Sequence, residues 1–292
     1  MTDAGYIDLH AHGGGGGSVE EGAAGIRRML AAHRAHGTTG SVLSLVANPL
    51  DSLVASLATI RELAAEEPQV LGAHLEGPFL APARKGAHDA AHLIDPEPAA
   101  VEKLLAAGEG VLRVITIAPE LPGALDAIRR FSAAGVVVAV GHTEADAALV
   151  HTAFDAGARL LTHAFNAMPG ITAREPGPLG AALADERVTI EVIADGIHVH
   201  PDNLRWLFAA APGRVAAVTD AMAAAGAGDG DYRLGGLDVT VSRGRAVVAG
   251  TRQLAGSTLT LDRAVEVLVA AGVPRADALA SVTTTPARLL GI

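Results

Sequence analysis

The stretch Val136-Val137-Val138-Ala139-Val140-Gly141-His142 is a short apolar run that ends in a side chain able to bind a metal ion. A short, continuous apolar run is typical of a strand buried on both faces of a sheet. In five other segments, acid–base or metal-binding side chains also follow an apolar run: residues 8–12, 74–78, 162–166, 194–198 and 219–221. Side chains at the ends of parallel strands can converge on one point, as in the active site of a β/α barrel. Because imidazole and carboxylate groups bind zinc-like metals, the pattern indicates a metal-dependent hydrolase.

Eight runs with β character alternate along the chain with Ala- and Leu-rich helical stretches. The β runs are residues 6–10, 39–47, 70–75, 111–117, 136–141, 159–163, 188–194 and 215–219. The helical stretches are 19–35, 51–67, 97–107, 124–134, 146–156 and 203–211, and several are followed by glycine, as helices often are. Eight strands that alternate with helices predict an α/β fold in which a parallel sheet closes into a (β/α)8 TIM-type barrel.

The alternation stops after residue 219. Residues 223–257 are rich in glycine and contain a predicted β-hairpin between 237–241 and 246–249, and helices resume at 261–271 and 275–290. We therefore expect one barrel domain over residues 1–292, with a small β-hairpin excursion after the eighth strand. The glycine run 13–17 follows the first strand, so a tight loop that lets backbone approach a ligand is favoured over a flexible linker.

Composition excludes several kinds of protein. The chain has 292 residues, of which 50% are apolar and only 3% aromatic, so Ala, Val, Leu and Ile must fill the core of a barrel of ordinary size. Its formal net charge of −10 argues against nucleic acid and against an anionic membrane surface as partners. The absence of cysteine excludes disulfides, thiolate nucleophiles and cysteine-type zinc sites.

Targeting signals are also missing from the sequence. No apolar run is long enough to span a bilayer. The start, Met1-Thr2-Asp3-Ala4-Gly5, lacks the basic and apolar regions of a signal peptide. We therefore expect a cytoplasmic protein.

Candidate metal ligands lie at the ends of the first and third strands. His10 and His12 are two apart on a strand and so point to the same side, although such a pair can also be purely structural. Glu76 follows the third strand, and a glutamate that faces a barrel interior is costly unless it is paired or metal-bound. The alternative for Glu76 is a salt bridge to Arg84 or Lys85.

Two further histidines end neighbouring strands. Either His142 or His163 alone could be an ordinary core residue, but their equivalent positions on strands five and six favour a shared role. Two imidazoles and the carboxylate of Glu76 form a three-ligand catalytic set that leaves a fourth position for water. His74, two residues before Glu76, fits a supporting or packing role.

Asp220 follows the eighth strand and could move a proton between water and a leaving amine, or could simply cap the next segment. Asp195 fits a cap of the turn that presents His198, which could touch a substrate. Arg174 lies in the loop after the sixth strand, and spacing alone favours an ordinary solvated charge over a functional role.

The sequence lacks the motifs that mark several other classes of enzyme. The sequence contains no Gly-x-Ser-x-Gly elbow, no Walker A motif and no Rossmann fingerprint with a following acidic residue. The only lysines, Lys85 and Lys103, do not end a predicted barrel strand, which argues against a Schiff base or a carboxylated-lysine bridge. If two metals bind, Glu76 is the available bridge.

Nine segments in order along the chain resemble the N-acetylglucosamine-6-phosphate deacetylase family of the amidohydrolase superfamily. They are IDLHAHGG (7–14), HLEGPFL (74–80), KGAH (85–88), GHTE (141–144), THAFNAM (162–168), ADGIH (194–198), VTDAM (218–222), YRLG (232–235) and LAGSTLTL (254–261). The combination of HLEGPF, THxFNAM and ADGxH is specific to this family rather than to amidohydrolases at large.

The resemblance implies a divalent metal cofactor, with zinc expected and iron, cobalt or manganese as alternatives. Glu76, His142 and His163 would hold the main metal. His10 and His12 would support a second, since some members use one metal and some use two. Asp220 would be the catalytic acid/base, and His88 would orient or polarise the acetamide carbonyl.

The resemblance also implies a site for an amino-sugar phosphate. The matching contacts are Asn166, the backbone at Ala167, Arg174 and His198. In this family the phosphate-binding arginine reaches in from a partner subunit, which implies a homodimer. Arg174 would then supply positive charge that the surface as a whole lacks.

Members of the family usually carry a small accessory β-domain built from segments before the first strand and after the last helix. We expect that domain to be absent or very reduced here. Two other functions stay open at this point: another amidohydrolase that acts on an N-acyl amine, and a non-catalytic barrel that binds a metal or a sugar phosphate.

Overall fold

Eight parallel strands pair in the order of the chain in the computed structural model, which describes residues 5–292. The strands are β1 (Tyr6–Ala11), β2 (Thr38–Val46), β3 (Val70–Glu76), β4 (Leu112–Ile117), β5 (Val137–Val140), β6 (Leu160–Leu161), β7 (Thr189–Ile193) and β8 (Val215–Val218). Each begins within one residue of its predicted start, and the (β/α)8 barrel is confirmed. The part of the targeting prediction that concerns residues 1–4 lies outside the described residues.

Hydrogen bonds between the first and the last strand close the barrel. The amide of Asp220 donates to the carbonyl of His10 at 2.8 Å. The buried carboxyl of Asp8 accepts from Thr219 twice, from Oγ1 at 2.6 Å and from the amide at 3.2 Å. Burial raises the pKa of Asp8 above its ordinary value. These bonds hold the ends of β1 and β8 together, and both ends carry candidate site residues.

Helices cover the outside of the barrel and bury one face each against it. They are α1 (Gly22–Ala35), α2 (Leu50–Glu66), α3 (Pro98–Gly108), α4 (Ala124–Ala133), α5 (Ala147–Ala156), α6 (Gly177–Ala184), α7 (Pro201–Ala210), α8 (Leu261–Ala270), α9 (Arg275–Ser281) and α10 (Thr284–Leu290). The sequence did not predict α6, because this short segment is apolar on nearly all sides and lacks a helical period. Within residues 5–292, none of the helices combines the length and apolar character that crossing a membrane requires.

The excursion after β8 is a three-stranded antiparallel sheet, β9 (Gly230–Leu234), β10 (Leu237–Ser242) and β11 (Arg245–Val248). The predicted hairpin is confirmed as β10 and β11, and β9 is an addition. Arg243 and Gly244 both have positive φ, 53° and 72°, as tight two-residue hairpin turns require. The sheet packs against the barrel through a second apolar cluster that includes Val46, Met222 and Leu234.

The glycine run is a tight loop and not a linker. Residues Gly13–Gly14 pair with Gly17–Ser18 in a small antiparallel ladder. A Cβ on Gly17 would lie 2.5 Å from the carbonyl oxygen of Gly25. The loop thus approaches the protein's own α1 closely, while an approach to a ligand stays a prediction.

Candidate metal centre and active site

A cavity of about 340 Å³ lies at the carboxyl end of the barrel. Nine of the eleven predicted site residues line it: His12, Glu76, His88, His142, His163, Asn166, Ala167, His198 and Asp220. His10 is completely buried behind this lining. Arg174 is the one predicted residue that the barrel of its own chain does not bring to the cavity.

The first of two clusters joins Glu76, at the end of β3, to the histidines that follow β5 and β6. The Nε2 atoms of His142 and His163 each lie 3.0 Å from Glu76 Oε1 and 3.0 Å from one another. In a tetrahedral zinc site with bonds of about 2.0–2.2 Å, neighbouring ligand atoms are about 3.3–3.6 Å apart. The three atoms therefore lie near the separation that ligands of one ion adopt.

The protonation of His142 shows that this cluster suits a cation. Its Nδ1 donates to the carbonyl oxygen of Arg84 at 2.8 Å. Burial lowers the pKa of His142 to about 4, so the ring is neutral at pH 7 and Nε2 carries a lone pair. That lone pair faces a carboxylate oxygen of Glu76 at 3.0 Å. Two lone pairs at this distance repel each other unless a cation lies between them.

The second cluster lies at the ends of β1 and β8. His12 Nε2 is 3.2 Å from Glu76 Oε2 and 3.3 Å from Asp220 Oδ1. His10 Nε2 is 3.5 Å from Glu76 Oε1 and 3.6 Å from Asp220 Oδ1. Burial acts to lower the pKa of His12, but hydrogen bonds with Asp220 and Glu76 outweigh burial and raise it to about 9.

The two carboxylates of the site are held in their ionised forms. Burial would raise the pKa of Glu76, but the charge of His10 and hydrogen bonds from the surrounding histidines hold it well below its usual range. Burial would also raise the pKa of Asp220, and here the charge of His10 and a hydrogen bond from His12 lower it. Both side chains can therefore act as anionic ligands or proton acceptors at neutral pH.

Three residues of the site have a strained backbone conformation. His142, His163 and Asp220, just past the ends of β5, β6 and β8, have φ values of 48°, 24° and 46°. A left-handed conformation costs a non-glycine residue about 1–2 kcal/mol. Strained residues of this kind cluster at functional sites, where the surrounding structure enforces a side-chain direction. Here all three side chains point into the same cavity.

His88 contacts oxygen atoms through both of its ring nitrogens. Nδ1 lies 2.8 Å from the Lys85 carbonyl oxygen, and Nε2 lies 3.1 Å from the Glu76 carbonyl oxygen. Carbonyl oxygens only accept, so a hydrogen on Nδ1 satisfies the shorter of the two contacts. The alternative salt bridge from Glu76 to Arg84 or Lys85 is wrong, because Arg84 pairs with Glu144 at 2.8 Å and Lys85 donates to the His88 carbonyl.

The predicted substrate contacts lie on the loops after β6 and β7. Asp195 Oδ1 accepts from the amides of Ile197 and His198, both at 2.8 Å, and Oδ2 lies 2.7 Å from His198 Nδ1. Asp195 thus caps the turn that presents His198, as the sequence indicated. Asn166 and Ala167 line the cavity from the loop after β6, where Ala167 has a positive φ of 52°.

Arg174 is exposed on the loop between β6 and α6. Within residues 5–292, the lining of the cavity does not include it. The cation that does line the cavity is Arg84, from the short helix Pro82–Arg84 after β3. Sequence reasoning considered Arg84 only as a partner for Glu76, although its position shortly after the HLEGPFL segment was an available signal.

Two other groups of site residues were not predicted. Leu234, Gln253 and Leu254 line the cavity from the excursion and from the segment after it. The YRLG and LAGS motifs contain two of them, so a signal was present without a role attached. Glu191 is buried within β7 and contacts His10. Its signal was a lone charge in an otherwise uncharged strand.

His74 lies below the clusters, in agreement with a packing role. Its ring nitrogens are each 2.9 Å from a hydroxyl, Ser44 Oγ and Thr116 Oγ1. Its ring contacts that of His10 edge-on, with centroids 4.6 Å apart. Burial lowers the pKa of His74 well below its ordinary value, so this neutral ring adds no charge beneath the site.

Comparison with known proteins gives a consistent result. The model of the "Amidohydrolase family" matches residues 3–292. The N-acetylgalactosamine-6-phosphate deacetylase of Escherichia coli O157:H7 is 42% identical over 98% of this chain and 77% of its own length. The N-acetylglucosamine-6-phosphate deacetylase of Bos taurus is 36% identical over 99% of this chain and 74% of its own.

Solved structures agree with the sequence relatives. A mutant of the Mycobacterium smegmatis N-acetyl-D-glucosamine-6-phosphate deacetylase, in complex with N-acetyl-D-glucosamine-6-phosphate, superposes with a TM-score of 0.94 at 45% identity. The match covers 99% of this chain and 77% of that one. The chain thus spans about three quarters of the length of the relatives it matches.

Proposed function

Because the chain belongs to the amidohydrolase family, we propose that it hydrolyses the acetamide of N-acetylglucosamine 6-phosphate to glucosamine 6-phosphate and acetate. The observation that carries the proposal is the shared carboxylate of Glu76, which joins two clusters of histidines beside Asp220 in one cavity. The relatives named as deacetylases of amino-sugar phosphates support the choice of substrate.

We propose zinc as the metal, with Glu76, His142 and His163 as the main site. His10 and His12, with Glu76 and Asp220, would form a second site. The neutral His142 and the ionised Glu76 support this assignment, since metal ligands must be deprotonated. When bound, such a metal polarises a carbonyl oxygen and makes water more acidic, which is the chemistry that amide hydrolysis needs.

Residues of the protein would then carry out the proton transfers. Asp220 is ionised and lines the cavity, so it would accept a proton from the attacking water and deliver it to the sugar nitrogen as the C–N bond breaks. His88 would orient the acetamide carbonyl or polarise its oxygen as negative charge develops there. Its Nδ1 bond to the Lys85 carbonyl keeps the ring in that orientation.

The sugar phosphate would lie toward the loops after β6 and β7. We propose contacts from Asn166, from the Ala167 backbone and from His198, whose orientation Asp195 fixes. Arg174, exposed on its own chain, would reach the phosphate of a partner subunit in a homodimer. A local cation is needed because the net charge of −10 opposes the approach of an anionic substrate.

Two further proposals follow from the substrate. We place the reaction in the cytoplasm, because charged sugar phosphates do not cross membranes freely. We also propose that the barrel and the excursion act as one domain, because the excursion supplies Leu234 to the catalytic cavity.

N-acetylgalactosamine 6-phosphate is a second candidate substrate. The Escherichia coli O157:H7 relative, at 42% identity, is named for it. The two sugars share the acetamide and the phosphate and differ only in the configuration at C4. The proposed metal ligands, Asp220 and His88 would therefore act identically on both.

The direct test measures acetate release by the zinc-loaded protein from both 6-phosphates and from unphosphorylated N-acetylglucosamine. We expect the highest kcat/KM for N-acetylglucosamine 6-phosphate and at least about a hundredfold loss without the phosphate, since an unpaired cationic pocket costs several kcal/mol. A higher kcat/KM for N-acetylgalactosamine 6-phosphate would make that sugar the preferred substrate. Turnover that is indifferent to phosphate would indicate a broader N-acyl-amine hydrolase. No turnover from folded, zinc-loaded protein would contradict the enzyme proposal.

A further inference from the structure

Glu191 is a completely buried carboxyl in the middle of a barrel strand. It occupies the third position of β7, Thr189-Ile190-Glu191-Val192-Ile193, and none of its surface is exposed. Arginine and lysine are absent from its hydrogen-bond and ion-pair partners in the described residues 5–292. A buried carboxyl costs several kcal/mol when it is poorly paired, and an apolar residue would suit this strand. The side chain therefore calls for an explanation beyond packing.

The contacts of Glu191 reach both metal-binding clusters. Oε2 lies 3.3 Å from Nδ1 of His10 and 3.4 Å from the amide nitrogen of His163. Oε1 is buried and makes no hydrogen bond with the residues that the structure describes. One carboxyl oxygen thus serves a histidine of the second cluster and the backbone of a histidine of the first.

The orientation of His10 follows from this contact. Nδ1 faces Glu191, and the opposite nitrogen, Nε2, faces the cluster, 3.1 Å from Nε2 of His12 and 3.5 Å from Glu76. A carboxylate accepts and cannot donate when ionised, so the contact places the hydrogen on Nδ1 of His10. Once the ring loses its other proton, its lone pair lies on Nε2, where a metal ligand needs it.

The other histidines of the site are held differently. Nδ1 of His142 donates to the Arg84 carbonyl, whereas Nδ1 of His12 and of His163 are buried without a hydrogen-bond partner in residues 5–292. Among the four histidines of the two clusters, His10 alone faces a carboxyl through Nδ1. This distinguishes His10 as the one of these four histidines whose ring is fixed by a carboxyl side chain.

We propose that Glu191 is a positioning residue that fixes the ring and the tautomer of His10, so that His10 Nε2 serves the second metal site. The proposal rests on the proposed function for that second site. A carboxyl behind a metal-binding histidine orients the ring and raises its basicity, and loss of such a partner typically weakens metal binding about 10–100-fold.

The first test records the tautomer of His10 by ¹H–¹⁵N NMR of histidine-labelled, full-length protein, at a pH high enough for the ring to be neutral, with His10→Gln to assign the signal. We expect Nδ1–H in the wild type and a mixed or reversed tautomer in Glu191→Leu. Glu191→Gln keeps the shape and an acceptor oxygen but lacks the charge, so it should keep most of the Nδ1–H form. An unchanged His10 tautomer in Glu191→Leu would overturn the proposal.

The second test measures Zn²⁺ binding to the same proteins by calorimetry. In Glu191→Leu, we expect one zinc equivalent to bind about 10–100-fold more weakly and the other to change less than about threefold. Glu191→Gln should weaken the same equivalent about 3–10-fold, because a charged acceptor is about twice as strong as a neutral one. Thr189→Val, a buried change two residues away on the same face of β7, should bind both equivalents like the wild type.

The two tests can fail independently of the proposed two-metal site. A wild type that binds a single zinc would contradict the two-metal site, and the NMR test would still decide whether Glu191 fixes His10. If Glu191→Leu does not fold, wild-type zinc affinity in Glu191→Gln would overturn the proposal. Equal weakening in Thr189→Val would show that the effect is one of packing, and would overturn it too.

Discussion

The two halves of the site use the same ligand types in different electrostatic states. On the β5 and β6 side, burial lowers the pKa of His142 to about 4. Burial acts in the same direction on His163, but a hydrogen bond with Glu76 outweighs it and raises the pKa, so one of the two rings in this half is neutral. On the β1 and β8 side, burial acts in the same direction on His12, but two carboxylates outweigh it and raise the pKa to about 9. The difference lies in Asp220, which is 3.3 Å from His12 and gives that half a second carboxylate.

This difference has a consequence for metal binding. His142 keeps its lone pair free at pH 7, so a metal can bind there without displacing a proton from that ring. His12 must lose a proton first, and metal binding that releases protons is weaker at low pH. We therefore expect the half with His142 to bind metal first and more tightly, and the half with His12 to bind second.

Removing Glu76 should abolish the distinction, because both halves share its carboxylate. For Glu76→Ala we expect zinc binding to be lost in both halves and kcat/KM to fall more than about 10⁴-fold, since the metal supplies several kcal/mol of transition-state stabilisation. Metal content by mass spectrometry and acetate release check the two effects. Exposed Glu102→Ala on α3 is the matched control. One tightly bound zinc retained in Glu76→Ala would contradict the shared role.

Changing Asp220 should separate catalysis from metal binding. Asp220→Asn keeps the shape of the side chain but removes the proton acceptor, so we expect kcat to fall about 10²- to 10⁴-fold with little change in KM. The first zinc equivalent should remain, because Asp220 belongs to the other half. Steady-state kinetics and calorimetry measure both effects, with exposed Asp202→Asn as control. A kcat close to that of the wild type would remove Asp220 from the mechanism.

Single histidine changes compare the halves directly. We expect His142→Ala to weaken the tighter zinc equivalent at least about 10²-fold, because loss of a ligand should exceed the 10–100-fold cost of an outer-shell partner. His12→Ala should weaken only the second equivalent. Calorimetric titration with Zn²⁺ alone measures this, and His151→Ala on α5 serves as the control. The reverse order of effects would show that the asymmetry was assigned to the wrong halves.

The smallest expected effect is on stability, and it concerns the turn that Asp195 caps, outside both halves of the site. Burial acts to raise the pKa of Asp195, but hydrogen bonds from His198 and from the turn outweigh it and lower the pKa. Ionised Asp195 therefore stabilises the fold at neutral pH, and this contribution disappears as the pH falls below about 4. For Asp195→Asn we expect about 1 kcal/mol lower unfolding free energy at pH 7.

Chemical denaturation at pH 7 and at successively lower pH measures that difference. The gap between Asp195→Asn and the wild type should shrink as the pH falls, while exposed Asp126→Asn should show no such gap. A gap that is constant with pH would contradict an ionised Asp195 as its source.

The sequence was sufficient for the barrel because buried parallel strands leave a strong local signal. Runs such as Val136–Val140 are apolar on both faces, and the histidine after such a run must lie at the carboxyl end of the sheet. Short elements left weaker signals. The segment Gly177–Ala184 is apolar throughout, and Gly230–Leu234 is polar and short, so neither shows a period that separates helix, strand and loop.

Some residues of the candidate site could be predicted from the sequence, and others could not. Ligand-type residues at strand ends could be named in advance, because position and chemistry agree there. Glu191 could not, since it lies inside a strand and its role depends on a contact with His10, 181 positions away in the sequence. The neutral state of His142 was equally hidden, because it depends on a carbonyl at Arg84 that only the fold brings within 2.8 Å.

The measurement that tests the account most directly is acetate release from N-acetylglucosamine 6-phosphate as Zn²⁺ is added back to metal-stripped protein. We expect no turnover in the presence of chelator, and turnover that rises as zinc is restored. We also expect that zinc does not restore turnover in Glu76→Ala. Undiminished turnover in chelator, or full zinc-dependent turnover in Glu76→Ala, would contradict a metal centre built around Glu76.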